Sequence, residues 1–230
     1  MLERLFSLDY RRRRLAAKVP AGPLRDYLET PFVARKADCR QLEYVALDLE
    51  TTGLDPKKDA IISFGWVLLR GNRIDLASAS HRLVRQHGAI PEASAVIHQI
   101  TDDAAAAGAD LATVMAELLP LLAGKVLIAH HARIELGFLN TACEQLYGGG
   151  FLIPTVDTQR IAQQWFERRN RSYRPGELRL GNLRNRYNLP RYRAHDALVD
   201  ALAAAELFLA QLAEREGNHP LPLKDLMLRP

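Results

Sequence analysis

The apolar run Tyr44-Val45-Ala46-Leu47 leads without interruption into Asp48-Leu49-Glu50, with Thr51-Thr52-Gly53 directly behind it. A short apolar run of this kind reads as a buried β-strand. Successive side chains of a strand point to opposite faces, so Asp48 and Glu50 project from the same side. Two carboxylates this close, on a segment that otherwise demands burial, repel each other and lose hydration unless a positive group neutralises them. An oxygen-preferring divalent cation such as Mg²⁺ or Mn²⁺ meets that demand. The alternative is a strand that ends at the surface with two solvated acids, and the DxE spacing alone does not separate the two.

The pattern around this strand predicts a mixed α/β fold. Apolar runs over 44–50, 61–70 and 73–85 are joined by Gly53-Leu54-Asp55-Pro56 and by a Gly71-Asn72 hairpin turn, which predicts an antiparallel meander. Helices and strands then alternate. The expected elements are a helix over 111–122, a strand over 125–129, a helix over 132–147 closed by Gly148-Gly149-Gly150 and a short strand over 153–156. Helices over 158–169, 178–187 and 196–214 follow, the last with Leu198, Leu202, Ala205 and Leu209 along one face. A meander followed by α/β units implies a central mixed sheet with helices on both sides. Residues 1–41 read as a basic N-terminal helical arm interrupted by Pro20, Pro23 and Pro31. The body is then 42–215, and 216–230 is a C-terminal tail.

Composition narrows the class. Hydrophobic residues make up 48% of the 230, enough for a packed core. No apolar run reaches the length of a membrane span, and the N-terminus has no signal-peptide pattern. Two cysteines, Cys39 and Cys143, stand far apart without metal-site spacing. A soluble, cytoplasmic protein with no membrane contact is expected. Residues 1–40 carry ten Lys/Arg against five Asp/Glu, whereas the remainder carries 21 against 22. Within that remainder, residues 160–193 hold ten Arg and two Glu. Basic segments beside an acidic centre suit an anionic polymer cut with the help of bound cations, although arginine-rich helices are often only solvated ones.

Two later segments extend the acidic motif. Val126–Ala129 runs into His130-His131-Ala132-Arg133-Ile134-Glu135, a strand entering a helix with an acid in its first turns. His195-Asp196-Ala197-Leu198-Val199-Asp200 places a histidine before an Ala/Leu-rich helix with an acid five residues on. An acid-x-acid strand, a strand-then-helix acid and H-x4-D, in that order, resemble the DEDDh (DnaQ-like) 3′→5′ exonuclease family. That group includes the proofreading subunit of bacterial DNA polymerase III and ribonuclease T. Ile97-His98-Gln99-Ile100-Thr101 is similar to the family's H-x-I-T element. The resemblance covers roughly residues 42–213 and implies a ribonuclease H-like sheet of five strands with the second antiparallel.

It also implies a chemistry. Two divalent cations, Mg²⁺ or Mn²⁺, would be held by Asp48, Glu50, Glu135 and Asp200, one serving the attacking water and one the leaving 3′-oxygen. His195 would be the general base, since imidazole titrates near neutral pH. Leu49, Thr51 and Thr52 would approach the terminal nucleotide, and Ile97, His98 and Ile134 would line the base pocket. Ordinary core packing is nearly as good an account of the two isoleucines. Arg168, Arg169 and Arg171 are expected phosphate contacts within the arginine-rich segment. Two departures stand out. His131 replaces the usual Asn, and Glu135 replaces the usual Asp, moving a carboxylate outward by about 1.5 Å. The expected partners are single-stranded DNA or RNA 3′ ends, DNA favoured, and the basic arm 1–41 offers a docking surface for a protein. The rival readings are an oligoribonuclease-like degrader of short RNA and a nucleic-acid-binding module weakened at Glu135.

Overall fold

The computed structural model describes residues 7–215 and 219–228. Its centre is a five-stranded sheet ordered β3-β2-β1-β4-β5. The strands are β1 (Glu43–Thr51), β2 (Ile61–Arg70), β3 (Arg73–Leu83), β4 (Val126–Ala129) and β5 (Thr155–Asp157). β2 is antiparallel to β1 and β3, and β4 and β5 join parallel to β1. The expected ribonuclease H-like mixed sheet is therefore the observed one. Around it lie α1 (Leu8–Ala16), α2 (Pro23–Glu29), α3 (Glu92–His98), α4 (Asp102–Ala106), α5 (Leu111–Leu122), α6 (Arg133–Tyr147), α7 (Thr158–Arg168), α8 (Leu180–Arg186) and α9 (Ala197–Ala213). Among the described residues no helix is long and apolar enough to cross a membrane.

Alternation along β1 sorts the two sides of the sheet. Val45, Leu47 and Leu49 pack with Phe64, Trp66 and Leu127 under α2, α5 and α6. Tyr44 and Ala46 pack with Val67, Leu69 and Ile128 under α9, where Tyr44 meets the ring of Phe208 at 5.0 Å. Asp48 and Glu50 continue the Tyr44–Ala46 row, so they face the start of α9. Gly65 stands opposite Asp48 in the β1–β2 register. A Cβ at Gly65 would lie 2.0 Å from the carbonyl carbon of Ala197. The missing side chain lets the first turn of α9 close against the sheet beside Asp48.

The structure departs from the sequence expectations in three places. The N-terminal segment, expected as an arm, is built into the core. Leu24, Tyr27 and Leu28 are buried with α5 and α6, the Tyr27 hydroxyl donates to the Leu152 carbonyl at 2.7 Å, and the buried Arg12 donates to the Leu28 carbonyl and to Asp9. The spacing of those three residues is that of an amphipathic helix, which needs a partner for its apolar stripe. At the other end, Leu223, Leu226 and Met227 complete the α9 side of the core, and Met227 bridges to Val156 at the sheet edge. Finally, α3 and α4 were not anticipated. Helices of seven and five residues lie below the length at which local propensity sustains them. They are held by Thr101, whose hydroxyl caps Ala104, and by Asp102, which accepts from the Ile90 N–H at 2.9 Å.

Candidate active site

The β1–β4 register pairs Ala46 with Ile128. Asp48 and Glu50 therefore lie level with and beyond the end of β4, where the chain turns into α6. Asp157, at the end of β5, fixes that turn. Its carboxylate accepts from the backbone N–H groups of His131 and Ala132, each at 3.1 Å, and caps α7 through Gln159 N–H at 2.9 Å. His131 takes a left-handed φ of 67° in this turn, and its ring is tied to the Gln159 amide oxygen at 2.8 Å. Glu135 sits in the first turn of α6, buried, and its Oε2 has no hydrogen-bond partner.

The third wall is the entry to α9. Asp196 caps the helix through Val199 N–H at 3.0 Å. His195 adopts φ 69°, a conformation that costs a non-glycine residue about 1 kcal/mol or more. That twist lets its own N–H donate to Asp200 Oδ2 at 2.7 Å while the ring stays exposed. One potential ligand atom from each of Glu50, His195 and Asp200 falls within 4.8 Å of the others.

Four carboxylates from three elements thus converge, and burial is the leading cause that raises the pKa of each. Glu50 is pushed up to about 7, with Asp200 and Asp196 adding repulsion. Glu135 is pushed up to about 8, with Asp157 adding repulsion against a backbone hydrogen bond that opposes it. Asp48 is raised well above its ordinary value, and Glu135, Asp200 and Glu50 add to the effect of burial. Asp200 is raised as well, against the opposing pull of the His195 N–H. Among the described residues no Lys or Arg forms an ion pair with any of the four. Unneutralised oxygen donors around an orphaned buried carboxylate oxygen fit a divalent cation.

Asp48, Glu50 and Asp200 line a cleft of about 540 Å³ with Leu49, His130, Gln159, Arg179, Asn182 and His195, whereas Glu135 is buried and does not line it. His130 binds the Thr158 hydroxyl at 2.8 Å, and burial pushes its pKa down to about 4, so the ring is neutral. His98 is buried with its Nδ1 accepting from Ile100 N–H at 3.1 Å. Burial, and then the nearby His195, lower its pKa. The side chain of Ile97 lies outside the described residues. Ile134 is half-buried and packs against the main core. Thr51 donates to the Gly53 carbonyl at 2.6 Å, and Thr52 accepts from Ala60 N–H at 2.9 Å, so both side chains close the turn after β1. Arg168, Arg169 and Arg171 are exposed around the C-terminal end of α7 and do not line the cleft.

Arg179, Asn182 and Gln159 were not singled out from the sequence. Gln159 had a signal in principle, since it follows the Asp157 cap. Arg179 is one arginine among ten in its segment, and only the fold shows that it, at the N-cap of α8, lines the same cleft as Asp48, Glu50 and Asp200.

Residues 45–208 match the RNase T-type exonuclease family. The chain is 31% identical over 166 residues to the PolC-type DNA polymerase III of Thermotoga maritima, an alignment covering 72% of this chain and 12% of that protein. It therefore spans only a small part of its PolC-type relatives. It is also 31% identical over 178 residues to the DNA polymerase III subunit epsilon of Treponema pallidum, covering 76% of this chain and 80% of that one. The fold is shared with the nuclease domain of 3′hExo, a DEDDh family member bound to rAMP, at a TM-score of 0.65 and 16% identity over 80% of this chain and 100% of that one. Exonuclease X in complex with 5′ overhanging duplex DNA gives 0.60 and 20% identity, over 79% and 98%. A family match across most of the chain, on a sheet that gathers these acids at one end, leads to one conclusion: the chain belongs to the RNase T-type exonuclease family.

Proposed function

We propose that this exonuclease removes nucleotides from the 3′ end of single-stranded nucleic acid, with DNA preferred over RNA, releasing nucleoside 5′-monophosphates. The observation that carries this is the quartet Asp48, Glu50, Glu135 and Asp200, buried or half-buried at one end of the sheet with no Lys or Arg ion-paired to any of them among the described residues. Those residues would hold two divalent cations, Mg²⁺ or Mn²⁺. When bound, such ions supply charge neutralisation at the phosphate and lower the pKa of a water. The preference for DNA draws on the relatives named as parts of DNA polymerase III. The rAMP bound to 3′hExo keeps RNA as the second substrate to test.

The protein's own groups do the rest. His195 accepts the proton of the attacking water as general base. Its ring lies beside Glu50 and Asp200, and its backbone N–H clamps it to Asp200. Leu49 forms the cleft wall between the two acids of β1. Arg179, which lines the same cleft, brings a positive charge to the phosphate. Neutral His130 lends the wall a polar surface without adding charge.

The test is hydrolysis of matched DNA and RNA oligonucleotides labelled at the 5′ end, with EDTA, Mg²⁺ and Mn²⁺ in parallel. A metal-dependent ladder shortening from the 3′ end, with mononucleotide products, is expected. No hydrolysis of either polymer in any metal refutes the reading. His195→Asn should lower turnover by about 10²–10⁴ and remove the acid limb of the pH–rate profile. An unchanged profile would take the base role away from His195.

A further inference from the structure

A second cleft, of about 370 Å³, lies away from the acids. Arg11, Arg14 and Lys18 line it from α1 and the turn that follows, and Asn140 of α6 faces them. The four consecutive arginines at 11–14 divide by role. Arg12 is buried and holds α1 to Leu28 and Asp9. Arg13 is paired with Asp9 at 2.9 Å. Arg11, Arg14 and Lys18 are exposed and form no ion pair among the described residues. Arg14 lies over the ring of Tyr10, which also lines the cleft. The three cations share one face of the helix, spread over about 10 Å of its axis. Because Arg12 anchors α1 to the core, they are presented from a fixed element. All of them precede residue 45, where the family match begins.

We propose that the Arg11–Arg14–Lys18 cleft binds the phosphate backbone of the same single strand whose 3′ end enters the acidic cleft. This rests on the substrate proposed above. The acids that would hold the cations repel an approaching polyanion, so long-range grip has to come from elsewhere on the surface. Three cations, unpaired among the described residues and held in a row on one fixed element, suit successive phosphates of a strand. Leu15, Phe151 and Leu152 give the cleft an apolar floor beside the three cations, against which the bases of a single strand can pack while its phosphates meet the charges. No residue lines both clefts, so a strand whose 3′ end fills the acidic cleft must cross the surface between them to reach the three cations.

The experiment compares a single-stranded oligonucleotide of about 20 nucleotides with a trimer, whose few phosphates are taken up by the acidic cleft. Arg11→Ala/Arg14→Ala/Lys18→Ala should raise the KM of the long substrate about tenfold and reduce its log–log salt slope by about 2, at about 0.7 per phosphate contact. Its kcat, and both parameters on the trimer, should stay at wild-type values. Arg13→Ala removes a charge off the cleft and should change neither KM nor slope. Unaltered KM and salt slope on the long substrate overturn the proposal and leave the cleft to an acidic protein segment. An equal loss on the trimer also overturns it, because the effect would then lie in the catalytic cleft. Fluorescence anisotropy of the long strand in EDTA reads the same contacts without turnover. A wild-type protein that binds but does not cut therefore fails the proposed function and not this one.

Discussion

The acidic cleft and the arginine-rich stretch 160–193 both concentrate like charge, and the fold treats them in opposite ways. Near the cleft, carboxylates from β1, α6 and α9 are driven together, and among the described residues no Lys or Arg forms an ion pair with them. In the stretch, the arginines are largely answered from within. Arg184 is buried and donates to the carbonyls of Ala203 at 2.7 Å and Pro190 at 2.9 Å, and to the Glu206 carboxylate at 2.6 Å. Arg186 and Arg169 lie 3.3 Å and 4.1 Å from the centroid of the Trp165 ring. The Trp165 indole and the Tyr187 hydroxyl both donate to Glu214 at the end of α9. These contacts fasten α7 and α8 to α9. Density of charge is thus a poor guide to function; charge that the fold buries and leaves unanswered is a good one.

The largest effect should come from neutralising the unanswered side. Asp48→Asn is expected to nearly abolish hydrolysis while making the metal-free protein more stable. The sign follows from the raised carboxylate pKa values. In the metal-free protein the folded state holds protons that the unfolded chain releases. Stability is therefore greatest below the ordinary carboxylate range and falls as pH rises through about 7 for Glu50 and about 8 for Glu135. Wild-type thermal melts in EDTA should show Tm dropping between pH 5 and 8, with a smaller drop in Asp48→Asn. Mg²⁺ or Mn²⁺ should restore Tm most at the alkaline end, where the ligands are deprotonated. Retention of metal-dependent activity in Asp48→Asn, or a Tm that climbs with pH in EDTA, contradicts this.

Glu135 sharpens the same side of the comparison. It is the acid whose length departs from the family pattern and the one whose Oε2 is orphaned. If it serves a cation, Glu135→Ala should lower kcat by about a hundredfold or more, the scale of several kcal/mol of lost charge stabilisation. Glu135→Asp should keep or raise activity. The wild type should favour Mn²⁺ over Mg²⁺, which demands stricter octahedral geometry. Wild-type kinetics surviving in Glu135→Ala would remove it from the ligand set.

On the answered side the expected loss is in stability. Arg184→Ala leaves the carbonyls of Ala203 and Pro190 and the Glu206 carboxylate without their partner. It should cost about 2–4 kcal/mol. Urea melts should show a lower midpoint with an unchanged m-value, and turnover in native buffer should fall less than tenfold. A stable but inactive Arg184→Ala would place this arginine on the functional side instead.

How much of this was legible in the sequence depends on how local the signal was. β1, the Gly71-Asn72 hairpin and α9 announce themselves through runs and periodicity within a few residues. Strand alternation put Asp48 and Glu50 on one face, and the family resemblance of the later motifs singled out Glu135, His195 and Asp200; the fold brings Glu50, His195 and Asp200 within 4.8 Å of one another. The burial of α2 was not legible, because its partners are distant in sequence: Tyr27 bonds to Leu152 and stacks on Phe151 at 5.5 Å. α3 and α4 were hidden by their shortness. Arg179 could not be told from its neighbours, since choosing one arginine among ten requires knowing which way α8 starts.

The smallest effect is expected where the sequence pointed to phosphate contacts. Arg168, Arg169 and Arg171 lie at the end of α7 remote from the cleft, about 15 Å along the helix from Thr158. Arg169 is already engaged with Trp165. Replacing all three with Ala should change affinity for a long single strand by less than about threefold and its salt slope by less than about 1, a fraction of what three phosphate contacts would give. The surviving effect would come from the general field of the removed charges, which ionic strength screens over about 8–10 Å. Binding isotherms across a salt series, run beside the Arg11/Arg14/Lys18 variant, decide the matter. A slope reduced by about 2 in the Arg168/Arg169/Arg171 variant would show that the stretch tracks the phosphate backbone. The contrast between answered and unanswered charge would then fail at the arginines, though it would still hold at the acids.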